Sequence, residues 1–307
     1  MAYRICEAVE GLRDLREESV QLVYMDPPYN TGRDFYNFDD RFSSSQDYRE
    51  GLIMPVMKEI QRVLRGDAVV VVHVEPKISH HIRVVMDEVF GEKRFVNEVV
   101  WRSGGNHHTE KKMQRSHDTL IVYSKGGSFV FNAEYKPYDE KLVESCQSDG
   151  RGYYQTSALK NSQPEVIPRP NLRYEWKGVF EQWYVSRERM QRLDDEDRLV
   201  YGKSGVPRVK KYFHEMKGIP VKDVWDDVKQ IQMWEKLPYA TQKPVALLER
   251  IVRMFSNRGD LVVDPFGGSG TTGRACVSTG RNYQLFDINP EAINLFEENL
   301  GGQLDFG

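Results

Sequence analysis

The chain has 307 residues, enough for one large domain or two smaller ones. Its 43 lysines and arginines and 46 aspartates and glutamates give a net charge of -3, which excludes a uniformly basic protein but allows a local basic surface. No apolar run approaches the roughly 20 residues that span a bilayer, no signal-peptide core is visible, and the three cysteines are too dispersed for a disulfide framework, so we expect a cytoplasmic globular protein.

Strands and helices alternate in the first third of the sequence. We expect a strand at residues 19–26, a helix at 46–65 with a blemish at Pro55, and a buried strand in the β-branched run at 67–74. The segment HIRVVMDEVF then predicts a helix, and FVNEVVW and TLIVYS predict two more strands. This alternation predicts an α/β fold with a mostly parallel sheet.

The pattern changes between about Phe131 and Gln230, where Pro, Gly, Tyr, Trp and Arg rise and long apolar runs disappear. It returns from Gln242 onward, with a helix at KPVALLERIVRMFS, a strand at 260–264, a glycine loop, a helix at GRACVSTG, a strand at NYQLFD and a helix at PEAINLFEENL. We therefore expect one α/β sheet built from both ends of the chain, with an inserted module between them.

The stretch LVVDPFGGSGTTGRACV places glycines between a strand and a helix, where the backbone can approach a ligand and helix amides point toward it. Gly268, Gly270 and Gly273 have the spacing of a dinucleotide fingerprint, and Asp287 ends the next strand, where a carboxylate can take both ribose hydroxyls. No Lys-Ser/Thr follows the glycines, which excludes a Walker A loop. The pattern predicts a nucleoside site; a dehydrogenase and a ligand-free turn are the alternatives.

Asp26, Pro27, Pro28 and Tyr29 follow the first predicted strand, at the end where open α/β sheets bind ligands. The prolines stiffen the segment and leave its carbonyls free, so that the Asp26 side chain and a neighbouring carbonyl can accept the two hydrogens of an exocyclic amine. Tyr29 adds a ring on which a base can stack. An ordinary proline-rich turn is the alternative, but the glycine loop in the same chain favours a ligand.

Together, DPPYN and DPFGGSGTT closely resemble the amino-group DNA methyltransferases, which use S-adenosyl-L-methionine. The DPPY aspartate lies 238 positions before the aspartate of the glycine loop, which is the β order of motifs in that family, and the resemblance covers nearly the whole chain. It implies a Rossmann-like methyltransferase fold with a catalytic half at 1–130, an inserted target-recognition module at 131–230 and a cofactor-binding half at 231–307.

The same resemblance implies cofactor contacts. These fall on Asp264, Phe266, Gly268, Gly270 and Thr271, with Asp287 at the ribose and Thr241 and Lys243 near the methionine carboxylate. For Thr241 and Lys243, an ordinary helix N-terminus explains the pattern equally well. The family usually carries Gly-Asp where this chain has Arg4-Ile5-Cys6, so an acidic contact is missing or supplied elsewhere.

The implied chemistry is methyl transfer to a base flipped out of double-stranded DNA. Asp26 and the Pro27 carbonyl accept the N–H bonds of the amine, whose lone pair attacks the sulfonium methyl without a covalent enzyme intermediate. Adenine N6 is favoured over cytosine N4 because N4 enzymes of the family more often carry Ser where Asp26 stands. The alternatives are a cytosine-N4 enzyme, a nicotinamide-dependent dehydrogenase and an inactive DNA-binding protein; an RNA substrate, a homodimer and a cognate restriction enzyme are left open.

Seven basic residues stand against one acidic residue in the segment 198–222. This excess, interleaved with aromatic rings, predicts phosphate contacts, and a solvated basic loop is the alternative. The candidate DNA-binding residues are Lys203, Arg208, Lys210 and Lys211, with Lys112 and Arg115 in a second basic stretch. His107 and His108 lack a Cys or acidic partner at ligand spacing, so no metal site is predicted. Residues 31–40 follow the pocket and are expected to close over it or to contact DNA, with a surface loop as the alternative.

Overall fold

The chain divides into two units, one formed by Met1–Glu134 with Val221–Gly307 and the other by Tyr135–Pro220. The computed structural model describes residues 2–29, 34–35, 38–39, 42–104, 113–231, 236–239 and 241–301. The second unit lies inside the range predicted for the inserted module. Within the described ranges, no helix is both long and apolar enough to cross a bilayer.

The elements below are numbered in chain order over the described residues. The helices are α1 (Ala8–Arg13), α2 (Ser45–Tyr48), α3 (Met54–Val63), α4 (Pro76–Phe90), α5 (Glu140–Glu144), α6 (Arg187–Asp195), α7 (Val245–Phe255), α8 (Thr271–Thr279) and α9 (Pro290–Gly301). The strands are β1 (Ala2–Ile5), β2 (Val20–Met25), β3 (Asp34–Phe35), β4 (Phe38–Asp39), β5 (Leu64–Val74), β6 (Phe95–Trp101), β7 (Asp118–Ser124), β8 (Tyr135–Lys136), β9 (Gln147–Asp149), β10 (Gly152–Ala158), β11 (Arg173–Trp176), β12 (Val179–Gln182), β13 (Leu199–Tyr201), β14 (Pro207–Tyr212), β15 (Ile219–Pro220), β16 (Val224–Trp225), β17 (Leu261–Asp264) and β18 (Asn282–Asp287).

The first unit is built on a sheet with the strand order β1-β18-β17-β2-β5-β7-β6-β16. All neighbouring pairs are parallel except those of β7, which runs antiparallel to both β5 and β6. Strands from both ends of the chain meet where β17 pairs with β2. This is a Rossmann-like α/β fold, and the predicted mostly parallel sheet is confirmed.

Both faces of this sheet are covered by helices. Along β5, Val70 and Val72 join a core that includes α1, α3 and α4, whereas Val69 and Val71 join the opposite core with α7, α8 and α9. A strand with two buried faces needs apolar residues at every position, which explains the unbroken β-branched run in the sequence.

The helix predicted over 46–65 is observed as one helical run over 45–63 that contains a wider turn, and residues 64–65 belong to β5. After α2, one wider turn of five residues, Arg49–Ile53, precedes α3. Pro55 lies directly after this wider turn, inside the helical run, and a local change in the hydrogen-bond pattern is how a helix accommodates a proline that lacks an N–H. Periodicity alone does not distinguish such a turn from a regular α-helix.

Five elements of the first unit were not predicted: β1, α1, the paired two-residue strands β3 and β4, and β16. Strand β1 pairs in parallel with β18, and the two-residue strand β16 pairs with the end of β6. Both are short edge strands. Helix α8 also starts at Thr271, two residues before its expected start at Gly273. Gly273 therefore lies inside the helix, where the Phe296 ring leaves no room for a side chain, since a Cβ would lie 2.8 Å from it.

The second unit has its own small core. A four-stranded antiparallel sheet, β13-β14-β10-β9, and the hairpin of β11 and β12 surround a cluster that includes Trp176, Trp183, Met190 and Leu193. The short strands of this unit give no long apolar run, which is why the sequence shows only a change of texture here.

Candidate active site

The catalytic loop begins where β2 ends. All six residues of β2 are buried, and Asp26 to Tyr29 emerge from its carboxyl end into a cavity of about 710 Å³. Most of the predicted catalytic and cofactor residues line this one cavity, namely Asp26, Pro27, Pro28, Tyr29, Thr241, Lys243, Asp264, Phe266, Gly268, Thr271 and Asp287. Segments far apart in sequence are thus brought together, as the two motifs implied.

Gly270 shapes the glycine loop without lining the cavity. Its φ of 74° lies in the left-handed region, and a Cβ there would stand 2.1 Å from Cδ2 of Phe296. Its N–H donates to the carbonyl of Gly267 at 2.8 Å, closing the turn before α8. Both the conformation and the close approach require glycine.

Asp264 braces the loop from within. One carboxylate oxygen accepts the amide of Phe266 at 3.0 Å, and the other accepts the Thr272 hydroxyl at 2.5 Å. Burial raises the pKa of Asp264 to about 7, although both hydrogen bonds oppose the shift. The group therefore titrates near neutrality, next to the cavity that it lines.

Asp287 stands at the end of β18, across the loop. Its Oδ2 accepts the amide of Gly268 at 2.7 Å and its Oδ1 accepts that of Asn289 at 2.9 Å. Each oxygen keeps a further lone pair for a ligand hydroxyl. Burial raises the pKa of Asp287 as well. Tyr3 on β1, which the sequence did not single out, donates its hydroxyl to the carbonyl of Gly268 at 2.5 Å and so holds the loop from the other side.

Lys243 makes a contact that the sequence did not predict. Its ammonium donates to Oδ2 of Asp26 and lies 3.3 Å from the hydroxyl of Tyr29, which in turn donates to Oδ1 of Asp26. Both oxygens of the predicted catalytic carboxylate are therefore held. Helix α7 starts at Val245 with Pro244 as its cap and no capping side chain, so the alternative of a Thr241 helix cap lacks its hydrogen bond.

A chain of hydrogen-bonded side chains continues from β2 into the sheet. The hydroxyl of Tyr24 lies 2.8 Å from Nδ1 of His73, and Nε2 of His73 lies 3.3 Å from Oδ2 of Asp118. Arg115 closes the chain at the cavity wall, 3.4 Å from Asp118 and 2.5 Å from Glu75. Arg115, a predicted DNA contact, thus has two acidic partners inside its own unit; the role of His73 was not predicted.

The predicted DNA contacts of the second unit differ in their surroundings. Lys203 and Lys211 are exposed. The Arg208 guanidinium donates to the hydroxyl of Thr156 at 2.9 Å and to the backbone carbonyl of Thr156 at 3.0 Å. Lys210 is buried and donates to Asp149 at 2.9 Å, so its charge is already paired within the unit. Lys112, His107, His108 and most of the 31–40 loop lie outside the described residues.

The glycine loop follows β17, the acidic residue Asp287 ends the next strand, β18, and the DPPY loop follows β2, which pairs with β17. On a Rossmann-like sheet, this arrangement defines the class of amino-group methyltransferases. The family model for N6/N4 methyltransferases, described as DNA methylase, matches residues 20–298. The chain belongs to this family.

The curated relatives are named as methyltransferases, and the solved structures share the fold. The chain is 28% identical over 275 residues to the type II methyltransferase M.EcaI of Enterobacter cloacae, covering 83% of this chain and 59% of that protein. It is 26% identical over 293 residues to the DNA adenine methyltransferase YhdJ of Escherichia coli K12, covering 94% and 79%. TTHA0409 of Thermus thermophilus, solved in complex with S-adenosyl-L-methionine, has the same fold, with a TM-score of 0.55, 19% identity and coverage of 99% and 95%. The chain thus spans somewhat under two thirds of M.EcaI.

Proposed function

We propose that this protein transfers a methyl group from S-adenosyl-L-methionine to the exocyclic N6 amine of an adenine flipped out of double-stranded DNA. The observation that carries the proposal is the shared cavity, in which the acceptor loop at Asp26 faces the glycine loop at Gly268 and the carboxylate of Asp287. Direct transfer requires that the methyl donor and the amine are held next to each other in the correct orientation.

The cavity residues fit this cofactor. Asp287 keeps lone pairs for two ribose hydroxyls, and the partly buried ring of Phe266 offers an apolar surface to an adenine ring. The carboxyl oxygens of Asp26, Asp264 and Asp287 line the cavity, and such partly negative atoms suit a cationic sulfonium. The cofactor supplies the electrophilic methyl group; the remaining steps belong to the chain.

The protein orients the amine and stabilises the charge that develops on it. Asp26 and the Pro27 carbonyl accept the two N–H bonds, which draws the nitrogen toward tetrahedral geometry and frees its lone pair for in-line attack. Lys243 and Tyr29 hold the Asp26 carboxylate in place through its two oxygens. After transfer, the nitrogen loses one proton, for which Asp26 is the adjacent acceptor.

Adenine is proposed as the target because Asp26 stands where N4-cytosine enzymes more often carry serine, and because one relative is named as an adenine methyltransferase. Cytosine N4 is the second candidate, since its amine presents the same two hydrogens. The second unit is proposed to contact DNA through its exposed basic residues, Lys203, Arg208 and Lys211.

The test is transfer of labelled methyl from S-adenosyl-L-methionine to unmethylated DNA, followed by chromatography of the nucleosides. Label in N6-methyladenosine supports the proposal, and label in N4-methylcytidine keeps the mechanism but overturns the base. No label on varied DNA sequences would refute transfer to DNA by this chain.

An Asp26→Ala variant tests the catalytic assignment directly. We expect it to lose transfer while binding S-adenosyl-L-methionine within a few-fold of the wild type. Asp14→Ala, the same change at an exposed carboxylate paired with Arg4, is the matched control and should transfer normally. Normal turnover by Asp26→Ala would show that the assigned role is wrong.

A further inference from the structure

We propose that Tyr24, His73 and Asp118 form a proton-ordering chain, which turns the Tyr24 oxygen into a hydrogen-bond acceptor at the wall of the methyl-transfer cavity. The inference rests on the proposed function, because it assigns these residues to the same site. Tyr24 acts on the cavity, and His73 and Asp118 are positioning residues that act through it.

The three residues lie side by side on neighbouring strands of the sheet. Tyr24 belongs to β2, His73 to β5 and Asp118 to β7, and these strands are adjacent in that order. Tyr24 stands two positions before Asp26, and side chains two apart along a strand project from the same face. Both Tyr24 and Asp26 line the cavity. The chain therefore begins next to the predicted catalytic carboxylate and runs into the protein interior.

The hydrogen-bonded chain of Tyr24, His73 and Asp118 is buried at its centre. His73 is completely buried and Tyr24 is 2% exposed. Trp101 packs edge-on against the His73 ring, with 5.6 Å between the ring centroids. Among the described neighbours, Tyr24 and Asp118 are the hydrogen-bonding partners of the imidazole, one at each nitrogen. Because the ring is buried, the hydrogen of the imidazole must be shared with one of these two partners.

The order of the protons follows from what each group can donate. An ionised carboxylate only accepts, so Nε2 of His73 must carry the hydrogen that it shares with Asp118. In the neutral imidazole, Nδ1 then has only a lone pair, and the Tyr24 hydroxyl must donate to it. The Tyr24 oxygen is left with lone pairs and no free hydrogen, which makes it an acceptor toward the cavity.

Burial keeps each group in the required form. It lowers the pKa of His73, an effect that the charge of Lys243 reinforces and the charges of Asp26 and Asp118 oppose, so the ring stays neutral at neutral pH. It raises the pKa of Tyr24 well above its usual range, so the phenol keeps its hydrogen. For Asp118, burial alone raises the pKa, but the His73 hydrogen bond and the charges of Lys243 and Arg115 leave it below its ordinary value.

An acceptor at this place matches the reaction. During transfer, positive charge moves from the sulfonium to the amine nitrogen, and a fixed acceptor stabilises such charge without having to reorganise. If the chain were reversed, with Nδ1 carrying the hydrogen, the Tyr24 hydroxyl would turn its own hydrogen toward a cavity that binds a cation. The direction of the chain is therefore expected to affect the chemical step more than cofactor binding.

The experiment compares Asp118→Asn, Tyr24→Phe and the double variant. The side-chain amide introduced by Asp118→Asn can present its NH₂ to Nε2 and so favours the opposite imidazole tautomer, while Tyr24→Phe removes the hydroxyl. We expect each single variant to lose kcat by about tenfold or more, with KM for S-adenosyl-L-methionine and DNA within about threefold of the wild type. Because both act through one hydroxyl, the double variant should be no slower than the slower single variant.

Two controls separate this effect from loss of packing or pairing. Tyr123→Phe removes a buried hydroxyl that lies 2.5 Å from Asp87 on the opposite face of the same sheet, so it should lower the melting temperature without changing kcat. Glu75→Gln disturbs Arg115 without touching Asp118. A kcat loss in Glu75→Gln equal to that of Asp118→Asn would assign the effect to Arg115 and overturn the proposal.

A second measurement needs no catalysis. Nitrogen-15 NMR of the histidine rings should find His73 protonated at Nε2 in the wild type and at Nδ1 in Asp118→Asn. Protonation at Nδ1 in the wild type, normal kcat in both single variants, or losses that multiply in the double variant would each overturn the inference. A wild type that methylates no DNA would instead refute the proposed function, while the NMR result would still decide the direction of the chain.

Discussion

Gly270 and Gly280 flank helix α8 with the same φ of 74° but differ in what a side chain would meet. A methyl group at Gly270 would lie 2.1 Å from Cδ2 of the buried Phe296 ring, whereas at Gly280 the nearest atom is Nε of Arg258, 3.0 Å away on a flexible side chain. The left-handed backbone costs either alanine about 1–2 kcal/mol. Overpacking adds about 1–3 kcal/mol at Gly270 alone.

We therefore expect Gly270→Ala to lower the free energy of unfolding by about 2–5 kcal/mol and Gly280→Ala by about 1–2 kcal/mol. Urea denaturation measures both free energies of unfolding. Titration with S-adenosyl-L-methionine measures the cofactor affinity of each variant, which reports on the glycine loop. Only Gly270→Ala should weaken binding of the cofactor, because relief of the clash displaces the turn that precedes α8. Equal losses of stability in the two variants, or normal cofactor binding by Gly270→Ala, would refute this reasoning.

Three further predictions address charge. Lys243→Met removes the cation that holds Asp26 and should slow single-turnover methyl transfer by about tenfold or more, which rapid-quench assays measure. Because burial raises the pKa of Asp264 from 3.8 to about 7, the native protein retains a proton that the unfolded chain releases. The free energy of unfolding should therefore fall as pH rises from 4 to 7. Urea denaturation at several pH values should show that Asp264→Asn flattens this dependence. Lys211→Gln should reduce the salt slope of DNA binding by about 1, whereas Lys210→Gln should leave the slope unchanged and lower the melting temperature.

The sequence predicts most of the central sheet because each buried strand carries its own signal. The run at 67–74 is apolar on both faces, and β5 is buried on both faces. The two motifs predict where ligands bind because each one is a glycine or proline loop that directly follows its own strand in the sequence. Local pattern and local structure coincide at these positions.

Other features depend on partners distant in the chain. Lys243 and Asp26 are 217 residues apart, and the sequence carries no signal that the fold brings them into contact. The antiparallel direction of β7 leaves no trace in its apolar run, since periodicity is the same in both directions. His73 reads as one polar residue in an apolar strand, and its role becomes visible only when Asp118 and Tyr24 are placed beside it.

The pairing of β2 with β17 also has a consequence for synthesis on the ribosome. One edge of β2 has no partner until residues 261–264 emerge, which at typical translation rates takes roughly 10–50 s after β2 itself has been made. An open apolar strand edge can pair with other chains during that interval. A nascent chain released before residue 261 would therefore be a substrate for chaperones and proteases, while the second unit, with its own core, could already have folded.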